Sequence, residues 1–232
     1  MRLNKLFLIL IFCLQQEISL GQGFSLGLSQ GITYNRLITN TSTLPLSKLS
    51  GRVGFFLGPL ISKQIHNNLS LILSPSLTTK NYAQLRMDSL DGLGDIHRNS
   101  YLQMLLMGNL KIPYKKIFFL FSEGIYTSYW ISKRIEGNTI DLYNSLGSGN
   151  IQSFYSVYYN QRIPFDNRRD NRLEYGWLSC VGIGFKWSNI FISTEFMFLR
   201  SISDQQKKYM HKQVPRFNQT INFGFTIFYC IK

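Results

Sequence analysis

The chain has 232 residues, of which 44% are hydrophobic and 15% aromatic, and its formal net charge is +13. That length suffices for a single β domain, and the basic excess points to anionic partners. Three cysteines are too few for a disulfide scaffold, and past the N-terminus no stretch of roughly 20 apolar residues is free of charge, which excludes a helical membrane protein.

Arg2 and Lys5 precede the apolar run Leu6 to Leu14, and a polar stretch closes at Ser19, Leu20 and Gly21. This is the pattern of a secretory signal peptide, cleaved before Gln22, which leaves residues 22–232 as one domain. Phe12 stands where a lipoprotein would carry a small residue before Cys13. Losing Arg2, Lys5 and Glu17 lowers the net charge of +13 by one. An exported chain of this charge meets lipid phosphate, such as that of outer-leaflet lipopolysaccharide, rather than nucleic acid.

From Phe24 onward the chain alternates with period two. Phe24, Leu26, Leu28, Ile32 and Tyr34 face one way and Ser25, Gly27, Ser29, Gly31 and Thr33 the other, which predicts a first strand. Asn35 to Ser50 reads as a loop, and Gly51 to Ile61 as a second strand with Arg52 on the small face. A short connection at 62–68 leads to a third strand from Leu69 to about Gln84. Leu85 to Asn99 is expected to be a loop carrying Asp88, Asp91 and Asp95, either a surface turn or a weak divalent site.

A fourth strand, Tyr101 to Ile112, and a fifth, Ile117 to Ile131, flank a tight turn at Pro113 to Lys116. A two-residue turn there would send Glu123 to the same side as Ile112 and Ile117. A three-residue turn or a bulge is therefore expected, returning Glu123 to the interior. Ser132 to Arg172 is the longest irregular stretch. It carries Phe154, Tyr155, Tyr158 and Tyr159 beside Arg162, Arg168, Arg169 and Arg172.

Leu173 to Ile202 predicts two strands joined by a two-residue turn at Ser188 and Asn189. Trp187 then pairs with Ile190, Phe185 with Ile192, Ile183 with Thr194, Val181 with Phe196 and Ser179 with Phe198. Gly176, Gly182 and Gly184 share the face opposite the large apolar residues, as the lumen of a narrow barrel requires. A basic loop, 203–216, containing Lys207, Lys208 and Lys212, precedes a last strand from Phe217. Cys180 and Cys230 lie on strands separated by a third, beyond ordinary disulfide reach.

Eight strands with connections alternating long and short describe an all-β, eight-stranded antiparallel up-and-down transmembrane β-barrel with long extracellular loops and both termini periplasmic. Interfacial girdles are expected from Trp187, Ile231 and Tyr114 near the turns and from Tyr34, Trp130, Tyr175 and Trp177 near the loops. The lumen polar candidates are Glu195, Glu123, Arg52 and Lys186, with Lys111 of the same parity. Glu195 faces Gly182, and Arg52, Lys111 or Lys186 would partner it. Two readings stay open for it: a polar plug, or a proton or ion relay.

Tyr101-Leu102-Gln103-Met104-Leu105-Leu106 resembles the Tyr-Leu-x-x-Pro-Leu strand opening of the PorT-like outer-membrane β-barrel family, often labelled porin family. Ser122-Glu123-Gly124-Ile125-Tyr126 is similar to its Glu-Ala-Gly-Pro-Tyr strand, and Gly182-Ile183-Gly184 with Glu195-Phe196-Met197-Phe198 to its Gly-x-Gly then Glu-x-Arg-Tyr hairpin. The family's proline falls on Met104 or Leu105 here, its arginine on Met197, and the chain end lacks a terminal aromatic residue. The resemblance implies an eight-stranded barrel of the bacterial outer membrane, placed there by the barrel-assembly machinery. It implies no single activity.

His66, His97 and His211 are scattered and read as solvated, and no catalytic, cofactor or metal motif appears. The outer-loop binding candidates are Tyr155, Tyr158, Tyr159, Arg162, Arg168, Arg169, Arg172, Lys207, Lys208 and Lys212, presenting either a solvated face or contacts to lipid phosphate or a protein partner. The 132–172 segment either folds over the barrel mouth or, through Ile151 to Ile163, extends the wall as a further strand. A structural or interaction barrel is the leading expectation, its partner being lipopolysaccharide or a secretion-machinery subunit. A narrow selective pore and a lipid-modifying enzyme are the alternatives.

Overall fold

The computed structural model describes residues 23–40, 47–86, 93–141, 155–208 and 213–231. The proposed signal segment, and with it Asp88, Asp91, Phe154, His211 and Lys212, lies outside the described residues. The strands are β1 (Phe24–Ile38), β2 (Ser47–His66), β3 (Leu69–Thr79), β4 (Tyr82–Arg86), β5 (Gly94–Tyr114), β6 (Ile117–Asp141), β7 (Tyr155–Arg162), β8 (Leu173–Trp187), β9 (Ile190–Ser201) and β10 (Phe217–Ile231).

The sheet closes on itself. β1 pairs along its whole length with β10, from Phe24 opposite Ile231 to Ile38 opposite Phe217, and on its other side with β2. β3 and β4 together fill one position of the ring between β2 and β5, and β6, β8, β9 and β10 complete an eight-stranded antiparallel barrel. β7 lies outside that ring, paired to the far end of β6, so that the wall rises on one side beyond the barrel.

The β8–β9 register is the one expected, with Trp187 opposite Ile190 and Ser179 opposite Phe198, and Ser188 takes the positive φ of 55° that such a short turn demands. Alternation separates two surfaces. Leu26, Leu28 and Ile32 on β1, Val53, Phe55 and Leu57 on β2, and Phe223, Phe225 and Ile227 on β10 are exposed on the outer face, and the other strands repeat the pattern. Inside, Phe56, Leu60, Leu105, Met107, Leu178, Leu199 and Phe228 pack into one apolar cluster. Phe56 shows why small residues are needed inward. A Cβ at Gly31 would lie 2.7 Å, and one at Gly224 2.5 Å, from the Phe56 ring, so the ring occupies the room those two glycines leave.

Several expectations are corrected. Tyr114 pairs directly with Ile117 through a two-residue turn with Lys115 at φ 56°, and no bulge intervenes before Glu123. Glu123 therefore points outward from the belt, opposite Gly108 and Ser179, and is not a lumen residue. The segment expected as a loop from Leu85 to Asn99 includes the ends of β4 and β5. Within the 132–172 stretch, β6 runs on to Asp141, and Tyr155–Arg162 forms the further strand. Trp130 points inward and stacks on Tyr101, with ring centroids 5.7 Å apart, instead of joining the outer girdle. Its neighbour Ile131 is the extra residue of a bulge, where the β5–β6 register shifts between Ser100 and Tyr101.

Filling the Gly224 position is expected to block barrel closure. Gly224→Val should abolish the compact, heat-modifiable band on unheated gels, whereas Phe225→Val, one residue on and outward, should retain it.

Candidate functional site

The interior is crossed near its outer end by a buried ion pair. Lys80, in the two-residue break between β3 and β4, is fully buried, and its Nζ lies 2.5 Å from Oε1 of Glu174 on β8. Inward parity puts both there: Lys80 continues the series Ser74, Ser76, Thr78, and Glu174 precedes Gly176 and Leu178. The carboxylate is fully engaged. Tyr126 Oη donates to Oε1 at 2.9 Å and Asn218 Nδ2 to Oε2 at 2.6 Å. Asn218 Oδ1 accepts from Asn35 Nδ2 at 3.1 Å, and Asn35 Oδ1 accepts from Thr220 at 2.7 Å.

The ammonium is held as tightly. Lys80 Nζ donates to Ser128 Oγ at 3.4 Å and sits 4.9 Å and 4.8 Å from the ring centroids of Tyr101 and Tyr126. Gln205, in the connection between β9 and β10, donates to Tyr101 Oη at 3.2 Å. These groups come from β1, β5, β6, β8, β10, the β3–β4 break and the β9–β10 connection, so one network ties the wall together across the lumen. Removing two charges from water is costly and is offset only when the charged groups find partners, and here both Glu174 oxygens and the Lys80 ammonium have them.

Towards the turns the apolar cluster fills the barrel. Glu195 faces inward between Met197 and Phe191, where Ser193 Oγ donates to its Oε1 at 2.7 Å and Cys180 Sγ lies 3.9 Å from Oε2. Arg52, at the outer end, and Lys186, exposed at the turn end, form no ion pair with it among the described residues. Lys111 lies with Lys186 in a cavity of about 140 Å³ at the turn end, its Nζ 5.1 Å from the Phe191 ring centroid. Cys180 and Cys230 are both free.

The outer extension holds the loop candidates. His97 is not a solvated loop residue: it stacks on Tyr82 at 4.5 Å and 11°, and its buried Nδ1 has no hydrogen-bond partner. Burial pushes its pKa down to about 4, with Lys133 and Arg216 acting the same way and Asp95 opposing. Burial likewise raises the Tyr82 phenol to about 12. Tyr159 Oη donates to Asp95, and burial followed by that hydrogen bond raises the phenol to about 12.

Arg172 is a packing residue: its guanidinium lies 4.5 Å from the Tyr129 ring centroid and 4.3 Å from that of Phe165, and its Nε donates to Trp130 O at 3.1 Å. Arg169 pairs with Asp166 at 3.3 Å, and Lys207 Nζ donates to Asn167 O at 2.9 Å. The second of these contacts joins the 163–172 and 203–207 segments. Tyr158, Arg162, Arg168 and Lys208 remain exposed, and Tyr155 opens β7 opposite Asp141. Among the described residues no group of three His, Cys, Asp or Glu side chains gathers to hold a metal.

No family model and no curated protein matches the chain. Solved structures do. The outer membrane protease OmpT from Escherichia coli aligns with a TM-score of 0.51 at 10% identity, over 90% of this chain and 96% of that one. The outer membrane protein OprG from Pseudomonas aeruginosa gives 0.47 at 7% identity, over 90% and 98%. Neisserial surface protein A gives 0.47 at 8%, over 90% and 97%. At 10% identity the likeness to the protease speaks for the barrel fold and not for an activity.

Two outcomes follow. Lys80→Met strands a buried carboxylate and should destabilise the folded barrel by about 3–5 kcal/mol, whereas Lys80→Met with Glu174→Gln should recover most of the loss; urea midpoints for refolding into vesicles test this. His97 acts through its lowered pKa. Above pH 6.5 it is neutral in both states; as pH falls from 6.5 towards 4 the unfolded state takes up the proton first, so the outer extension loses stability across that window. Amide protection factors in β4 and the start of β5, taken relative to the intrinsic exchange rate at each pH, should fall accordingly, and His97→Phe should flatten the response.

Proposed function

We propose that the chain is an integral, lumen-closed barrel of the bacterial outer membrane, acting as a structural or interaction module through its outer extension. The observation that carries this reading is the pairing of two surfaces. Apolar side chains form an exposed belt around the whole ring, while the interior is blocked by the Lys80–Glu174 network and the cluster beneath it. Soluble monomers rarely expose contiguous apolar patches beyond a few hundred Å². A closed ring of strands also satisfies every backbone group without water, as lipid requires.

In this reading the short turns at 67–68, 115–116 and 188–189, with the start of β1 and the end of β10, lie on the periplasmic side, and the β4–β7 extension faces outward. The PorT-like resemblance of the strand motifs fits the same placement, and lipopolysaccharide or a protein partner would be met by the extension. An eight-stranded ring has an interior that side chains can fill, whereas aqueous channels need about 16 strands.

Purified protein refolded into planar bilayers is therefore expected to give a heat-modifiable band and no stable conductance steps. Large steps from the wild-type protein, or recovery of the native protein in the soluble periplasmic fraction, would overturn the reading.

A further inference from the structure

On the outer face, just above the apolar belt, three arginines stand in one cross-strand row. Arg98 on β5 is directly opposite Arg134 on β6, and Arg134 is directly opposite Arg162 on β7. Like charges at paired positions on one face repel and weaken a sheet. Glu136 answers only one of them, accepting from Arg98 at 2.5 Å, and all three side chains remain exposed.

The row borders a cleft of about 430 Å³, lined also by Ser100, Ser132, Thr79 and Asn81 and, on its apolar side, by Val53 and Phe55. The cleft exists because the wall is notched: at the β3–β4 break Lys80 and Asn81 are both buried, and the chain dips away from the outer surface. Its depth is also informative. Arg98 lies four residues above Leu102, which is exposed in the belt, and so about 13 Å along the strand at 3.3 Å per residue. Strand tilt shortens that height, and the reach of an arginine returns the guanidinium to the headgroup layer, about 5–7 Å thick on each side of the hydrocarbon.

We infer that the Arg98–Arg134–Arg162 row is a binding site for the phosphate headgroup of an outer-leaflet lipid, with Val53 and Phe55 receiving the start of an acyl chain. The inference rests on the membrane reading above. Arginine suits the task because its planar fork pairs bidentately with phosphate oxygens. A phosphate between the three would turn the repulsion of the row into attraction, and the apolar wall beside it favours a lipid over a free anion.

The test uses full-length protein refolded into phosphatidylcholine nanodiscs, with lipid A as probe and native mass spectrometry counting retained lipid. Wild type is expected to retain lipid A at least ten-fold better than the Arg98→Ala, Arg134→Ala, Arg162→Ala triple variant. Lipid A stripped of its phosphates should be lost from wild type, and inorganic phosphate should fail to displace the intact lipid. A triple Arg→Lys variant should fall between, since it keeps charge and loses the fork. Equal retention by the alanine variant, equal retention of the dephosphorylated lipid, or full displacement by inorganic phosphate would each overturn the inference. Heat-modifiability of every variant is read in parallel. A variant that folds but fails to retain lipid bears on the site, whereas a wild type that does not insert bears on the membrane reading instead.

Discussion

The seam between β1 and β10 is the constraint on which everything else depends. Once the first and last strands pair from Phe24–Ile231 to Ile38–Phe217, the eight-stranded ring has no edge, and the period of two assigns each side chain to lumen or exterior. A barrel wall in lipid inverts the usual order, since its large apolar residues face out and its small and polar ones face in. The narrow interior then explains both the inward glycines and the need for exact pairing of whatever polar groups are enclosed.

Within that interior the polar and apolar groups are layered. The Lys80–Glu174 pair sits near the outer end, where Gln205 and Asn218 come in from the chain around β10, and the apolar cluster fills the half nearer the turns. A buried ion pair is weak evidence for stability when compared with apolar packing, because desolvation cancels much of the attraction. What this one contributes is position. Its donors and acceptors come from seven places around the ring, so satisfying them fixes the wall's register across the lumen as well as along it, and the outer connections are anchored to the same network.

Much of the fold was legible in the sequence because period-two alternation survives any uncertainty about strand ends. The β8–β9 register followed from a two-residue turn and matching apolar faces, and it is the one observed. Lys80 and Glu174 were legible in principle: both sit at inward parity, and a charge inside a narrow barrel demands a partner. Which charge would meet which was not legible, because parity orients a side chain without saying which strands face each other across the lumen. Glu195 drew attention through its glycine neighbour, yet Ser193, two residues away on its own strand, supplies its hydrogen bond. The arginine row was hidden for another reason. Arg98, Arg134 and Arg162 are far apart in sequence, and all three lay in stretches that read as loop, so that only the extension of β5, β6 and β7 brings them together.

Glu123 shows how two local rules compete and which prevails. A carboxylate facing hydrocarbon is unfavourable by a few kcal/mol at most at mid-depth, less than a lysine or arginine would be. Turning it inward would require shifting the register of β6 by one residue. That shift would carry Phe119, Phe121, Ile125 and Tyr129 into a lumen already filled by Leu105, Met107 and Leu178, and would expose Ser122, Ser128 and Leu120 to the belt. Each large side chain so displaced forfeits about 1.5–3 kcal/mol of favourable burial or meets an overpacked interior. The sum exceeds the cost of one outward carboxylate several times over. The two-residue turn at Lys115 and Lys116 therefore holds, and Glu123 stays outside, beside Gly108, where an added Cβ would meet nothing closer than 3.9 Å and the longer side chain has room to bend away from the wall.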